Sequence, residues 1–154
     1  MTIPVATLLG FAAWTLLLLL STVGIWRWSR ILTGRMSLTE FPADKPHGSD
    51  GYRRAMRAHA NCIENLPVFT VIVLVLVLTQ TQGLLIDRLC ILILAARIAQ
   101  SLIHITFTET GLMILLRFTA FLTQIIAMIA LIILIVKSTP VDINAVFTAA
   151  SLTT

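Results

Sequence analysis

Three polar side chains, those of Arg57, Asn61 and Glu64, lie at the start of an otherwise apolar segment and carry groups that bind small charged ligands. An α-helix advances about 100° per residue, so Asn61 falls about 40° to one side of Arg57 and Glu64 about 20° to the other. One helix face therefore presents a guanidinium, an amide and a carboxylate. Charged side chains inside a membrane are costly, and they usually mark a functional site.

Two later apolar segments carry polar faces of their own. Arg97 and His104 lie within about 60° of each other on a helix, with Gln100 beside them. Arg117 and Gln124, seven residues apart, share a face of the last segment. All three faces are weighted toward the same half of the chain's apolar spans, which predicts one shared polar site.

The charges on these faces do not balance. Arg57, Arg97 and Arg117 face a single nearby carboxylate, that of Glu64. A cationic excess in low dielectric is expensive unless an anion shares it, which favours a bound anionic ligand. The alternative is a structural ion pair between Arg57 and Glu64 that fixes the packing of the helices.

Other polar residues near these faces have simpler interpretations. His59 points almost opposite to the Arg57 face and is expected to make an interface or loop contact. Gln124 lies deeper and is expected to form an interhelical hydrogen bond. Cys62 is expected to be a small packing residue, and Cys62 and Cys90 show no metal-ligand spacing, so we expect no metal.

Four long apolar segments must position these faces. The chain has 154 residues, of which 58% are hydrophobic and 12% charged, far from the balance of a soluble protein. A helix needs about 20 residues to cross the hydrocarbon core. We predict an all-α membrane protein, a four-helix transmembrane bundle in one domain over residues 1–154. The expected helices cover about residues 3–29, 52–80, 84–106 and 112–136, followed by a C-terminal tail at 138–154.

The positive charge is concentrated around the first connection, and the net charge is +4. Seven of the eleven basic residues lie in or beside it: Arg27, Arg30, Arg35, Lys45, Arg53, Arg54 and Arg57. The positive-inside rule places that connection in the cytoplasm and both termini on the opposite side. Because juxtamembrane charge is the commoner cause of such a cluster, we expect membrane lipid and no nucleic acid as partner.

The segment Arg57–Pro67, RAHANCIENLP, resembles the helix 2 signature of the membrane-associated proteins in eicosanoid and glutathione metabolism, the MAPEG family. The matching pattern is R-A-x-x-N-x-x-E-x-x-P. Arg97 with His104 seven residues later, and Arg117 early in the last span, support the resemblance, which covers nearly the whole chain. The chain is similar to bacterial-type microsomal glutathione transferases, and this similarity implies that it lies in a bacterial inner membrane.

The resemblance implies a homotrimer that binds glutathione as co-substrate near the cytoplasmic face, between neighbouring subunits. His59 would reach the ligand from the adjacent subunit, and either Arg30 or Arg35 would contribute from the first connection. Arg117 matches the arginine that holds the thiolate and is the expected catalytic residue. The implied glutathione-binding residues are Arg57, His59, Asn61, Glu64, Arg97, Gln100, His104 and Arg30.

The chemistry of glutathione agrees with this set. The arginine fork suits its two carboxylates, and Glu64 suits its ammonium group. A guanidinium beside the thiol lowers the thiol pKa and favours the nucleophilic thiolate. We therefore expect a membrane-bound glutathione transferase or peroxidase, with a lipophilic electrophile arriving laterally from the bilayer.

The chain departs from the eicosanoid enzymes of the family at several positions. Asn65 stands where several members have tyrosine, Phe118 follows Arg117 where the prostaglandin synthase has serine, and the connection between the third and fourth spans is longer. These differences argue against the specific eicosanoid reactions. The alternatives are a small proton-coupled transporter that uses Glu64, and a non-catalytic family member.

Overall fold

The computed structural model describes residues 1–35, 37 and 48–138 and contains four long helices. They are α1 (Ile3–Leu32), α2 (Asp50–Leu78), α3 (Leu84–Thr106) and α4 (Gly111–Ser138). Each is long and apolar enough to cross a membrane, which confirms the predicted all-α, four-span fold. The predicted tail beyond residue 138 and most of the first connection lie outside the described residues.

The helix ends differ by a few residues from those expected, for local reasons. α2 begins at Asp50 because the Ser49 hydroxyl accepts a hydrogen bond from the Tyr52 amide at 3.4 Å, as an N-cap does. It ends at Leu78 because Gln80 adopts a left-handed conformation, with φ of 52°, which terminates helices.

A π-helical stretch, Leu19–Gly24, interrupts α1. Within it, the hydroxyls of Ser21 and Thr22 donate to backbone carbonyls four residues earlier. Such side-chain bonds compete with the helix's own amide bonds. The helix then regains α geometry and continues to Leu32.

α3 lies at the centre of the packing, against α1, α2 and α4, and an apolar cluster fills much of the space between these helices. The rings of Phe11 on α1 and Phe69 on α2 lie 5.9 Å apart between centroids. Cys62 and Cys90 are free thiols inside this core, which confirms Cys62 as a packing residue. The largest apolar members of the core are Phe11, Leu18, Phe69, Ile72, Leu76, Ile86, Ile93, Met128, Leu131 and Ile135.

The outer surface of the bundle is apolar as well. Large side chains such as Leu74, Leu92 and Ile133 remain exposed on three different helices. Water would solvate this surface poorly, whereas lipid chains are as apolar as the side chains themselves. The bundle therefore has the surface of a multi-pass membrane protein.

The two ends of the bundle are tied differently. At one end, the Trp26 ring stacks on Tyr52 with centroids 3.9 Å apart, and Arg27 Nε donates to the Tyr52 hydroxyl at 2.7 Å. These contacts hold the end of α1 against the start of α2. At the other end, the hydroxyls of Thr81 and Ser138 lie 3.3 Å apart. Arg57 of α2, His104 of α3 and Arg117 of α4 lie toward the first of these ends.

Candidate functional site

A line of polar contacts joins α4, α3 and α2 in the half of the bundle that contains the start of α2. Arg117 Nη1 lies 3.0 Å from His104 Nδ1, and His104 Nε2 lies 3.3 Å from the Asn61 amide. Arg117 Nε also donates to the Met113 carbonyl at 3.3 Å, one turn earlier on α4. The Arg117 side chain is only 10% exposed, so these bonds hold its guanidinium in one place.

The donors and acceptors in this line determine the state of the imidazole. A guanidinium only donates, so His104 Nδ1 must accept, and the ring's single hydrogen is then on Nε2. Nε2 therefore donates a hydrogen bond to Asn61, and its acceptor must be Oδ1 of that side chain. A 180° rotation of the Asn61 amide exchanges Nδ2 and Oδ1 and places Oδ1 there. The line thus runs from Arg117 through a neutral His104 to Asn61.

Glu109, in the connection between α3 and α4, supplies the carboxylate of this cluster. Its Oε1 lies 2.5 Å from Arg57 Nη1 and 3.8 Å from Arg117 Nη1. The next residue, Thr110, fixes the connection because its hydroxyl accepts from the Met113 amide at 3.3 Å at the start of α4. Glu109 therefore lies between an arginine of α2 and an arginine of α4.

This contact corrects the charge balance expected from the sequence. The interpretation that Glu64 is the single carboxylate near the three arginines is wrong, because Glu109 contacts two of them. The alternative of an Arg57–Glu64 ion pair is wrong too, since Arg57 pairs with Glu109 instead. Glu64 is exposed on the bundle surface and forms no ion pair within the described part of the chain. No periodic pattern in the sequence could reveal Glu109, because it lies in a connection.

Arg97 is the most unusual charge in the bundle. It is fully buried, and its Nε, Nη1 and Nη2 atoms have no hydrogen-bond partner among the described residues. Its Cζ lies 5.4 Å from the centre of the Phe11 ring, a cation–π arrangement. The Cys62 thiol group and, to a smaller extent, Glu64 act on it electrostatically, and Glu64 forms no ion pair with it. An aromatic face replaces only part of the hydration that a guanidinium loses on burial, so the charge of Arg97 is incompletely compensated.

The two glutamines form a buried pair beneath this cluster. Gln124 Nε2 donates to Gln100 Oε1 at 3.0 Å and to the Ala120 carbonyl at 2.9 Å. The prediction that Gln124 makes an interhelical hydrogen bond is confirmed. Gln100 is 4% exposed, and its amide oxygen is already engaged by α4.

Two predicted site residues lie apart from the cluster. The His59 ring faces the Thr15 backbone of α1, and its Nδ1 is buried without a hydrogen-bond partner in the described residues. The Arg30 guanidinium lies over the Trp26 ring, with Cζ 5.1 Å from the centroid. The structure of one chain therefore brings Arg57, Asn61, His104 and Arg117 together with Glu109, and leaves His59 and Arg30 outside.

A surface cleft of about 480 Å³ opens beside Glu109. Three arginines lie one after another along the start of α2 on its wall, and Arg53 forms an ion pair with Asp50. The residues that line it are Asp50, Arg53, Arg54, Arg57, Thr108 and Glu109. The cleft gives charged ligands in water a route to Arg57.

The fold and the cluster define a class: a four-span α-helical membrane protein with a cationic polar site near one end of the bundle. The MAPEG family model matches residues 5–137, and the chain belongs to this family, which includes glutathione transferases and peroxidases. No individual curated protein matches the chain. The resemblance found in the Arg57–Pro67 segment is confirmed at the level of the family.

Proposed function

We propose that this protein is a membrane-bound glutathione transferase that also acts as a glutathione-dependent peroxidase on lipophilic substrates. The observation that carries the proposal is the row of hydrogen bonds Arg117–His104–Asn61 in a chain of the MAPEG family. Arg57 lies beside this row, in the surface cleft. This line holds a guanidinium in place without neutralising it. A fixed positive charge of this kind is what a thiolate nucleophile requires.

The charged groups of the cluster match those of glutathione. A carboxylate of the ligand binds Arg57, whose side chain is 60% exposed and open to the cleft. The thiol lies toward Arg117. Arg97 is buried, and none of its side-chain nitrogens has a hydrogen-bond partner among the described residues, so it adds positive charge behind the site. Glu64 suits the ammonium group, and no metal is needed for any of these contacts.

We propose a homotrimer, the assembly that the family resemblance implies. A neighbouring subunit is favoured because Glu64 is an exposed carboxylate on a membrane-spanning helix. Such a group is costly against lipid, and a neighbouring subunit would cover it together with the ligand. In this assembly, glutathione lies between subunits, near the membrane surface. The basic residues around the first connection favour the cytoplasmic side of a bacterial inner membrane for this surface.

The reaction uses the thiolate directly. The thiol proton passes to water, because the negative charge on sulfur is stabilised by Arg117 rather than by a base. In conjugation, the sulfur lone pair forms a bond to the electrophilic carbon, and the leaving group departs with its bonding electrons. In peroxide reduction, sulfur attacks the terminal peroxide oxygen and releases an alcohol; a second glutathione then forms the disulfide and water.

The apolar exterior of the bundle supports the expected path of the second substrate. A lipophilic electrophile dissolves in the bilayer and approaches the site between helices, whereas glutathione enters from water. The substrate from the bilayer and the substrate from water therefore meet near Arg117, whose side chain is buried on the inner side of α4. Large polar electrophiles are expected to be poor substrates.

The test is turnover by the purified protein with glutathione and either an aryl halide or an alkyl hydroperoxide. Wild type should be active, and Arg57→Ala and Arg117→Ala should each lose at least about tenfold of that activity. Arg88→Ala is the matched control, because Arg88 is an exposed arginine of α3 near the opposite end of the bundle. Wild type without turnover on either substrate refutes the proposal.

A further inference from the structure

The Glu109 carboxylate occupies a position that the proposed function requires for the ligand. Its Oε1 contacts Arg57 at 2.5 Å and lies 3.8 Å from Arg117, which are the two arginines assigned to a glutathione carboxylate and to the thiol. Two carboxylates cannot both bind closely to one guanidinium fork without repulsion. We infer that Glu109 is a built-in competitor, which a carboxylate-bearing ligand must displace to enter. This inference rests on the proposed function.

The location of Glu109 allows such an exchange. Its side chain is 47% exposed, whereas that of Arg117 is 10% exposed, so the carboxylate enters the cluster from the water side. Thr110 anchors the connection to α4 through its bond to the Met113 amide. Rotation of the Glu109 side chain alone is therefore enough to release both arginines, and no helix has to move.

A second arginine, Arg54, can pair with the Glu109 carboxylate after a ligand displaces it. Arg54 lies one turn before Arg57 on α2, and both line the same cleft as Glu109. The Nε of Arg54 is buried and has no hydrogen-bond partner among the described residues, whereas Arg53 is already paired with Asp50. Glu109 thus has two cationic positions, one at Arg57 and Arg117 and one at Arg54.

The exchange determines which ligands enter. A ligand that brings a carboxylate replaces the Glu109 charge at Arg57, so the number of ion pairs is preserved. A ligand without a carboxylate would leave Arg57 unpaired or would leave Glu109 in place. Glutathione should therefore bind, whereas its dimethyl ester should compete poorly in wild type.

The test compares equilibrium binding of glutathione to the full-length protein and two variants in detergent. Glu109→Gln keeps the size of the side chain and removes its charge. It should bind glutathione about tenfold more tightly, a difference of about 1.4 kcal/mol. Asp87→Asn is the control, because it removes one carboxylate charge at the start of α3, near the opposite end of the bundle; its affinity should equal that of wild type.

A second readout does not depend on glutathione. Phenylglyoxal modifies free arginines, and mass spectrometry reports the modification of Arg57. This residue should react faster in Glu109→Gln than in wild type, and glutarate, a simple dicarboxylate, should protect it better in the variant. If neither wild type nor the variants bind glutathione, the proposed function is wrong. Faster labelling of Arg57 in Glu109→Gln, together with its protection by glutarate, would still support the inference.

Two results overturn the inference. One is a Glu109→Gln variant that binds glutathione with unchanged or weaker affinity, which would make Glu109 a supporting residue rather than a competitor. The other, in the absence of any glutathione binding, is equal labelling and protection of Arg57 in the variant and in wild type.

Discussion

Arg117→Ala removes the guanidinium that the account places beside the glutathione thiol. Two unit charges 4 Å apart interact by about 4 kcal/mol at an effective dielectric of about 20, and by about 1 kcal/mol in water. The Arg117 side chain is 10% exposed, which favours the larger value, but Glu109 at 3.8 Å offsets part of it. We therefore expect Arg117 to stabilise the bound thiolate by about 2 kcal/mol, which corresponds to about a 30-fold change in the ratio of thiolate to thiol.

The assay is a pH titration of glutathione bound at saturation, followed by the ultraviolet absorbance of the thiolate. Arg117→Ala should raise the pKa of the bound thiol, because the ionised form loses its partner. At neutral pH, the variant should therefore show much less thiolate than wild type. Arg88→Ala should titrate as wild type does. If bound glutathione titrates at the same pH in Arg117→Ala and in wild type, the proposed role of Arg117 is wrong.

Two predictions concern stability. Arg97→Leu should raise the free energy of unfolding of the ligand-free protein by about 1–3 kcal/mol, because it removes an uncompensated buried charge, while glutathione binding is lost; a less stable variant in chemical unfolding contradicts this. Gln124→Ala should cost about 1 kcal/mol in the same assay, since Gln100 loses its 3.0 Å partner. Replacing both glutamines with leucine should restore most of the lost free energy of unfolding. If Gln124→Ala is as stable as wild type, the glutamine pair contributes nothing to stability.

Helical periodicity predicted the inner faces of the last two helices well. Arg97 and Gln100 share the buried face of α3, and Arg117 and Gln124 share the buried face of α4. These positions follow from about 100° of rotation per residue in long, regular helices. The same rule placed His59 away from Arg57, and the structure turns it toward α1.

The connections between helices could not be predicted in this way. Glu109 lies 52 positions from Arg57 in the sequence, and only the fold of the short connection before α4 brings them together. The π-helical stretch Leu19–Gly24 also has no periodic signature in the sequence. The sequence therefore predicted the cations of the site, but not the carboxylate that contacts them.

Equilibrium binding measurements with the purified wild-type protein show whether it binds glutathione, as we propose. Calorimetry in detergent should give saturable binding that Arg57→Ala weakens strongly and Arg88→Ala leaves unchanged. That result is expected because Arg57 is the exposed cation at the mouth of the site. No heat of binding in wild type, or equal affinities in wild type and Arg57→Ala, would contradict the account.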